Sequence, residues 1–501
     1  MRTHEIFGEM WRLAPAGTPD PDRPATLARL AELTEALIAA YGGPTALAID
    51  PLAEGRARTL PLDRAAVSEA LRGRRVLVTG GAGGVGRALV GALPAFDPAH
   101  ITSVDLVLPE RPLADAEVVA DVTDLAALRH CFGRARPEVV FHLAAQRLPG
   151  LAEHQVRRTV ATNVLGTQHV VDLAAAFDVR RLVHASTGKA ARYHTPDIYA
   201  GSKKLAEWMV AEAGQRGPVR VTLARFTHIV ENSPVSADFD QKLAAGLLRI
   251  HDPDRVMYVQ SMREAVCLLL SGAGVADESG PTLLTVRDLG WPVEVLRLAL
   301  HRVVRSGRRV PLCFAGLPAG YERHPFLGQM DWSGPDSPHP MVNALETPRT
   351  QPDRTGAMLR TALTPPPGVA AQTVGELRRA LANCQDEWVR RALVAGVSAG
   401  CAGLFAAAGL DLLLNVLIWG AHPDQLGNAR LDEFGAVLPL LLEAVVAKLP
   451  AHVPAGVDPD RLADTLAELA AAPGVRPAAA ELAGRLGLSV PGLADGSSVM
   501  A

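Results

Sequence analysis

Lysine is scarce in this chain, aromatic residues make up only 4% of it, and its five cysteines are scattered. Cys131, Cys267, Cys313, Cys384 and Cys401 contain no CxxC pair, which argues against a zinc site or a disulfide framework, and no metal site is expected. A strong net charge is also missing. The formal value of −3 gives no field that would gather nucleic acid or an anionic membrane, so neither is an expected partner. The opening MRTHEIFGEMW has no apolar h-region and does not read as a signal peptide, which makes the cytoplasm the expected location. What is abundant is apolar surface: 48% hydrophobic against 21% charged residues, spread over 501 positions. That suffices for packed cores, and the length calls for two or three domains.

The pattern changes along the chain. Residues 1–70 read as a helical extension, with ATLARLAELTEALIAAY over 25–41 and a shorter helix after Pro61. From Arg74, short β-branched runs alternate with helical stretches: RVLVTG, VGRALVGAL, ITSVDLV, DLAALRHCF, EVVFHLAA, VATNVLGTQHVVDLAAAF and RLVHAS. Such alternation predicts an α/β fold, a doubly wound parallel sheet of the Rossmann type with a small substrate-binding part, over 71–345. Residues 346–373 are rich in Pro and Thr and read as a linker, and 374–501 as a helical domain. The stretch Ala392–Ala421 is long and nearly uncharged, enough for a membrane helix. Asp411, Asn415 and several glycines favour two buried helices instead, and membrane contact is not expected.

TGGAGGVG places Gly80, Gly83 and Gly86 directly after a strand and at the opening of a helix. In that context the first glycine permits a tight turn, the second lets the backbone approach a pyrophosphate, and the third lets helix and strand pack closely. The phosphates would rest on the helix N-terminus. Asp105 ends the next strand, 19 residues beyond Gly86. A carboxylate there accepts from the adenosine ribose hydroxyls and repels a 2′-phosphate, which favours NAD, with NADP as the alternative. Asp121 follows the third strand and is a candidate for the adenine edge. Helix capping is the competing role, and Asp124 could take it.

YAGSK puts Tyr199 and Lys203 four residues apart on a helix, hence on one face. The lysine cation lowers the tyrosine pKa and can hold the nicotinamide ribose, while the tyrosine exchanges a proton with a substrate oxygen as hydride moves. The preceding strand ends in Ser186 and Thr187, either of which could supply a third hydroxyl.

With these residues in place, the chain resembles the polysaccharide-biosynthesis branch of the extended short-chain dehydrogenases, which includes UDP-N-acetylglucosamine 4,6-dehydratases. The segments that carry the likeness are TGGAGGVGRALV, FHLAAQR, TNVLGTQHVVDLA, HASTGKA and YAGSKKLAE, and it continues weakly to GLPAGYE. The resemblance implies a hydroxyl at Thr187, an acid at the next position and a base at Lys189. Here the acid position is Gly188. His228, Met257, Pro318 and Tyr321 stand where the family has an asparagine, two arginines and a glutamate toward the nucleotide diphosphate, with Arg147, Arg255 and Arg323 as possible compensation.

The expected activity is therefore NAD(P)-dependent oxidation or reduction of a secondary alcohol, transient or net, on a sugar-like small molecule other than the family's usual UDP-sugar. The alternatives are a nucleotide-sugar 4,6-dehydratase or epimerase, and a non-catalytic dinucleotide-binding scaffold or sensor. An oligomer of identical chains is expected.

Overall fold

In the computed structural model, which describes residues 2–232, 234–275, 280–321, 339–420, 438–448, 458–470, 475–490 and 492–493, the chain divides into two compact units. One comprises Met1–Leu62, Phe226–Leu268 and Val286–Pro325, and the other Asp63–Arg225, Leu269–Thr285 and Phe326–Ala501.

The second unit is built on a nine-stranded sheet. Its first six strands in chain order are β1 (Arg75–Thr79), β2 (His100–Asp105), β3 (Ala116–Val119), β4 (Val139–His142), β5 (Arg181–Thr187) and β6 (Arg220–Phe226). Their spatial order is β6-β5-β4-β1-β2-β3, with Thr282–Val286 next to β6. The pairs β1–β2, β2–β3, β1–β4 and β4–β5 are parallel, as is Thr282–Val286 with β6. This is the doubly wound order, whose crevice opens where β1 and β4 diverge at their carboxyl ends. The central strands read as continuous apolar runs because helices cover both faces: Val76, Leu77 and Val78 of β1 and Val139, Val140 and Phe141 of β4 are all buried. Register sets Thr79 beside His142, and His142 beside His184, at the carboxyl edge.

The stretch read as a linker does more than connect. Thr350–Pro352 and Met358–Ala362 form an antiparallel pair that extends this same sheet beyond Thr282–Val286. Pro352 lies on the outermost strand, where a missing N–H is tolerated. Just before it, residues 341–346 are pinned by a buried ionic knot. Arg225, at the end of β6, gives bonds of 2.9 and 2.7 Å to Glu207, two of 2.8 Å to Glu346, and one of 2.7 Å to the Met341 carbonyl.

The C-terminal helices join the same unit. Val369–Ala382 and Asp386–Ala407 pack on the long helix Ile198–Arg216, sharing a core of Ile198, Leu205, Met209, Leu377, Val389, Leu393 and Val397. Small residues allow the close crossing: a Cβ at Gly400 would lie 2.2 Å from the Trp208 ring. Asp386–Ala407 is long and apolar enough to cross a membrane. In this structure its apolar face, including Val389, Leu393, Val397, Cys401 and Phe405, is buried. A second helix, Leu410–Gly420, follows it.

The N-terminal extension belongs to the first unit's core. Ile6, Met10, Leu30, Leu33 and Leu37 from the helices Thr3–Leu13 and Pro24–Ala40 pack with Val230, Leu248, Leu298, Leu312 and Phe314. Nothing in the amphipathic pattern of residues 1–40 identified that partner.

Candidate active site

The glycine loop between β1 and the helix Gly84–Ala92 has the geometry its spacing implies. Gly80 turns at φ +77°, and a Cβ there would strike the backbone of Leu143 and Ala144 at 2.6–2.9 Å. At Gly86 a Cβ would come within 2.0 Å of the Gly80 carbonyl, so helix and loop meet only because both are glycine. Gly83 precedes the helix, extended at φ −67°, ψ 162°, with no side chain to cover the free N–H groups behind it. Gly81 was not singled out from the sequence, yet a Cβ there would lie 2.3 Å from the Ser103 hydroxyl. The loop is thus a backbone-lined cradle with amide donors at a helix N-terminus, which fits a dinucleotide pyrophosphate.

Asp105 closes β2 beside this loop. One carboxylate oxygen accepts the Ala82 N–H at 2.9 Å and the other the Leu106 N–H at 2.7 Å. The carboxylate is held in place by backbone donors while retaining lone pairs for ribose hydroxyls. Asp124 is the N-cap of the helix Leu125–Ala135, accepting the Ala127 N–H at 3.0 Å. Asp121 is therefore not the cap. Its carboxylate accepts the Thr123 N–H at 2.8 Å in the turn before that helix.

The tyrosine and lysine lie on the helix Ile198–Arg216. Tyr199 is half-buried, with Thr187 near enough to influence its hydroxyl. Burial raises its pKa above the ordinary tyrosine value, and Thr187 and the Arg147 cation partly oppose that. Lys203 is buried, donating to the Ala185 carbonyl at 2.6 Å and to His184 Nε2 at 3.1 Å. Burial pushes its pKa down to about 8, with Glu207 pulling the other way.

Of the two hydroxyls at the end of β5, only Thr187 reaches the tyrosine. Ser186 points to the opposite side and donates to Glu207 at 2.6 Å, inside the ionic knot. Successive strand residues face opposite ways, so one of the pair had to turn away. Lys189 is half-buried on a short 3₁₀ turn, Gly188–Ala191, with its N–H on the Thr187 oxygen at 3.4 Å. Gly188 is itself buried on that turn.

One residue of the site escaped the sequence reading. A turn of π-helix over Ala161–Gly166 interrupts the preceding helix and turns Asn163 inward. Its amide accepts the Gln146 N–H at 2.8 Å, donates to the Gln146 carbonyl at 3.1 Å, and donates to the Ser202 hydroxyl at 3.0 Å. Ser202 in turn donates to the Tyr199 carbonyl. Asn163 so ties the loop after β4 to the tyrosine helix. The signal was an asparagine inside an otherwise apolar helix.

Among the positions expected to face a nucleotide, all in the first unit, Met257 is buried in its hydrophobic core and offers no anion contact. Tyr321 has the Arg255 guanidinium 5.1 Å from its ring centre and the His251 ring edge-on at 4.8 Å. His228 is half-buried and Pro318 exposed. Arg323 lies outside the described residues.

Residues 76–320, just under half of the chain, match the family described as polysaccharide biosynthesis protein. The probable polysaccharide biosynthesis protein EpsC of Bacillus subtilis is 25% identical over 52% of this chain and 46% of its own length. The capsular polysaccharide biosynthesis protein CapD of Staphylococcus aureus has the same identity and the same coverage of both chains. The chain thus spans less than half the length of these two relatives. A CDP-glucose 4,6-dehydratase of Salmonella typhimurium is 30% identical over 28% of this chain and 45% of its own length. The solved structure of MoeE5 in complex with UDP-glucose and NAD is 22% identical, covering 50% of this chain and 87% of that one, with a TM-score of 0.44. The preference for a substrate outside the nucleotide sugars is less well supported by these relatives than its alternative, a nucleotide-sugar epimerase or dehydratase.

Proposed function

We propose that the chain is an NAD-dependent enzyme of polysaccharide biosynthesis that acts on the sugar of a nucleotide sugar, oxidising and re-reducing a ring hydroxyl as a 4-epimerase does. The observation that carries this reading is the constellation at the carboxyl edge of β5. Thr187 lies near the Tyr199 hydroxyl, Lys203 stands one turn along the same helix, and the glycine cradle belongs to the same unit. The polysaccharide relatives and the dehydratase similarity supply the substrate class.

Bound NAD would supply the hydride acceptor and a positive charge. Thr187 orients the substrate oxygen and shares a proton with Tyr199. Tyr199 would have to act as the phenolate to take the hydroxyl proton as the alcohol is oxidised; its burial favours the phenol so formed, which returns the same proton when the ketone is reduced. Gly188 has no proton to give to a departing hydroxyl, which favours epimerisation over elimination. Arg255, set against Tyr321, is a cation of the first unit that would meet a diphosphate in this reading.

The test is incubation with NAD and a panel of UDP-, CDP- and dTDP-linked hexoses, followed by chromatography and mass spectrometry. The reading expects an isomeric product of unchanged mass. A product lighter by one water would move the dehydratase reading to first place. No conversion of any nucleotide sugar, with NAD bound, would overturn the substrate class.

A further inference from the structure

Behind Lys203 lies a buried polar chain that the proposed chemistry does not yet use. Thr79, His142 and His184 stand side by side on β1, β4 and β5. Both histidines are about 1% exposed, and their rings are 5.2 Å apart. The hydrogen bonds fix their tautomers. Thr167 spends its hydroxyl proton on the Asn163 carbonyl at 2.7 Å, so its oxygen accepts from His142 Nε2–H at 3.0 Å. His142 Nδ1 is then the acceptor for the Thr79 hydroxyl at 2.7 Å. Lys203 has only protons to offer, so His184 Nε2 must present its lone pair to the ammonium at 3.1 Å. The remaining proton of His184 sits on Nδ1, which has no partner among the described residues.

A buried donor left unbonded is costly. It persists here because the other nitrogen is committed to the lysine. We propose that His184 is a positioning residue for Lys203: its Nε2 and the Ala185 carbonyl together fix the ammonium, and the neutral imidazole keeps that buried cation charged. The inference rests on the reading of Lys203 as the cation of a nicotinamide site and adds the residue that sets its protonation.

Besides Tyr199 one turn earlier on the helix, the ionisable groups around Lys203 include His142 on β4 and Glu207 one turn later. Burial and the neighbouring ammonium keep both histidines neutral, so neither competes for its proton. Glu207 favours the charged lysine but is already committed to Arg225 and Ser186. His184 is the acceptor that a substitution can remove without touching the ionic knot.

The scarcity of lysine makes this measurable: the full sequence holds five, Lys189, Lys203, Lys204, Lys242 and Lys448. Lysines labelled at the ε-carbon can be followed by NMR across pH in wild type, His184→Leu and His184→Gln, using the full-length protein without ligand. Wild-type Lys203 should titrate near 8. His184→Leu removes an acceptor from the charged form and should lower that value by about one unit or more. His184→Gln, which keeps an acceptor, should restore most of it. An unchanged or raised Lys203 titration in His184→Leu would overturn the proposal.

If the leucine variant does not fold, the wild-type His184 tautomer decides. A proton on Nδ1 at neutral pH supports the inference, and a proton on Nε2 overturns it. Calorimetry with NAD over the same pH range separates the two readings. Loss of NAD affinity at alkaline pH should follow the lysine titration and move with it in His184→Leu. A shifted lysine with an unshifted NAD profile would leave the His184 contact standing and remove Lys203 from the cofactor site.

Discussion

Replacing Arg225 with methionine should be among the most damaging single changes in the second unit. The side chain is 1% exposed and ion-paired with Glu207 and Glu346, whose side chains are 4% and 11% exposed. Methionine fills much of the same volume but leaves two buried carboxylates without their four charge-assisted bonds. Removing one partner of a buried ion pair costs about 3–5 kcal/mol, and two stranded carboxylates place this case toward the upper figure. The knot also pins residues 341–346, so that segment should become sensitive to protease.

The penalty should depend on pH in a particular direction. Burial works to raise the pKa of Glu207, while Arg225 and Ser186 hold it low. Without Arg225, burial leaves Glu207 gaining a proton more readily folded than unfolded, so the penalty shrinks as pH falls from 8 toward 5. Urea denaturation at several pH values reads this. Adding Glu207→Gln and Glu346→Gln to Arg225→Met removes the stranded charges and should recover a large part of the loss. A single variant within about 1 kcal/mol of wild type, or a penalty independent of pH, would refute the reasoning.

Two further outcomes follow from the same geometry. His142, His184 and His194 are buried and neutral, with His142 held down to about 3 and His194 to about 4. The unfolded chain therefore binds more protons than the folded one below about pH 6.5, and stability is lost as pH falls from there toward 4. Thermal unfolding at pH 7 and pH 5 checks this, and a flat profile would contradict it. Asp105→Ser should weaken NAD binding and narrow its preference over NADP, because the carboxylate that accepts from ribose and repels a 2′-phosphate is gone. Calorimetry with both dinucleotides decides, and an unchanged preference would remove Asp105 from that role.

The dinucleotide half was legible because its signals are local. A glycine triplet between a buried strand and a helix, an aspartate ending the next strand, and YxxxK on a helix each constrain a few neighbouring residues. What the sequence hid is tertiary. The Thr350–Pro352 and Met358–Ala362 strands are short and flank a turn over 353–357, and only the sheet edge they dock on makes them strands. The N-terminal helices carried a plain amphipathic pattern, which says that a face is buried but not against what. The residues alone offered Ser186 and Thr187, and the family resemblance pointed to Thr187; strand alternation turns Ser186 away to Glu207. His184 read as one polar residue in an apolar run. Its bond to Lys203 depends on how the tyrosine helix lies over β5, which no spacing encodes.

The central claim is that Tyr199 moves the proton while a nucleotide sugar is transiently oxidised on this chain. The most direct measurement is rapid mixing of the NAD-loaded protein with the nucleotide sugar that it converts, following the near-ultraviolet absorbance of reduced nicotinamide. Wild type should show a transient rise and decay. Tyr199→Phe should bind NAD as tightly but form the reduced cofactor about 10²-fold more slowly or worse, the usual scale for a general acid–base group. An equally fast transient in Tyr199→Phe, or none in wild type during turnover, would contradict the account.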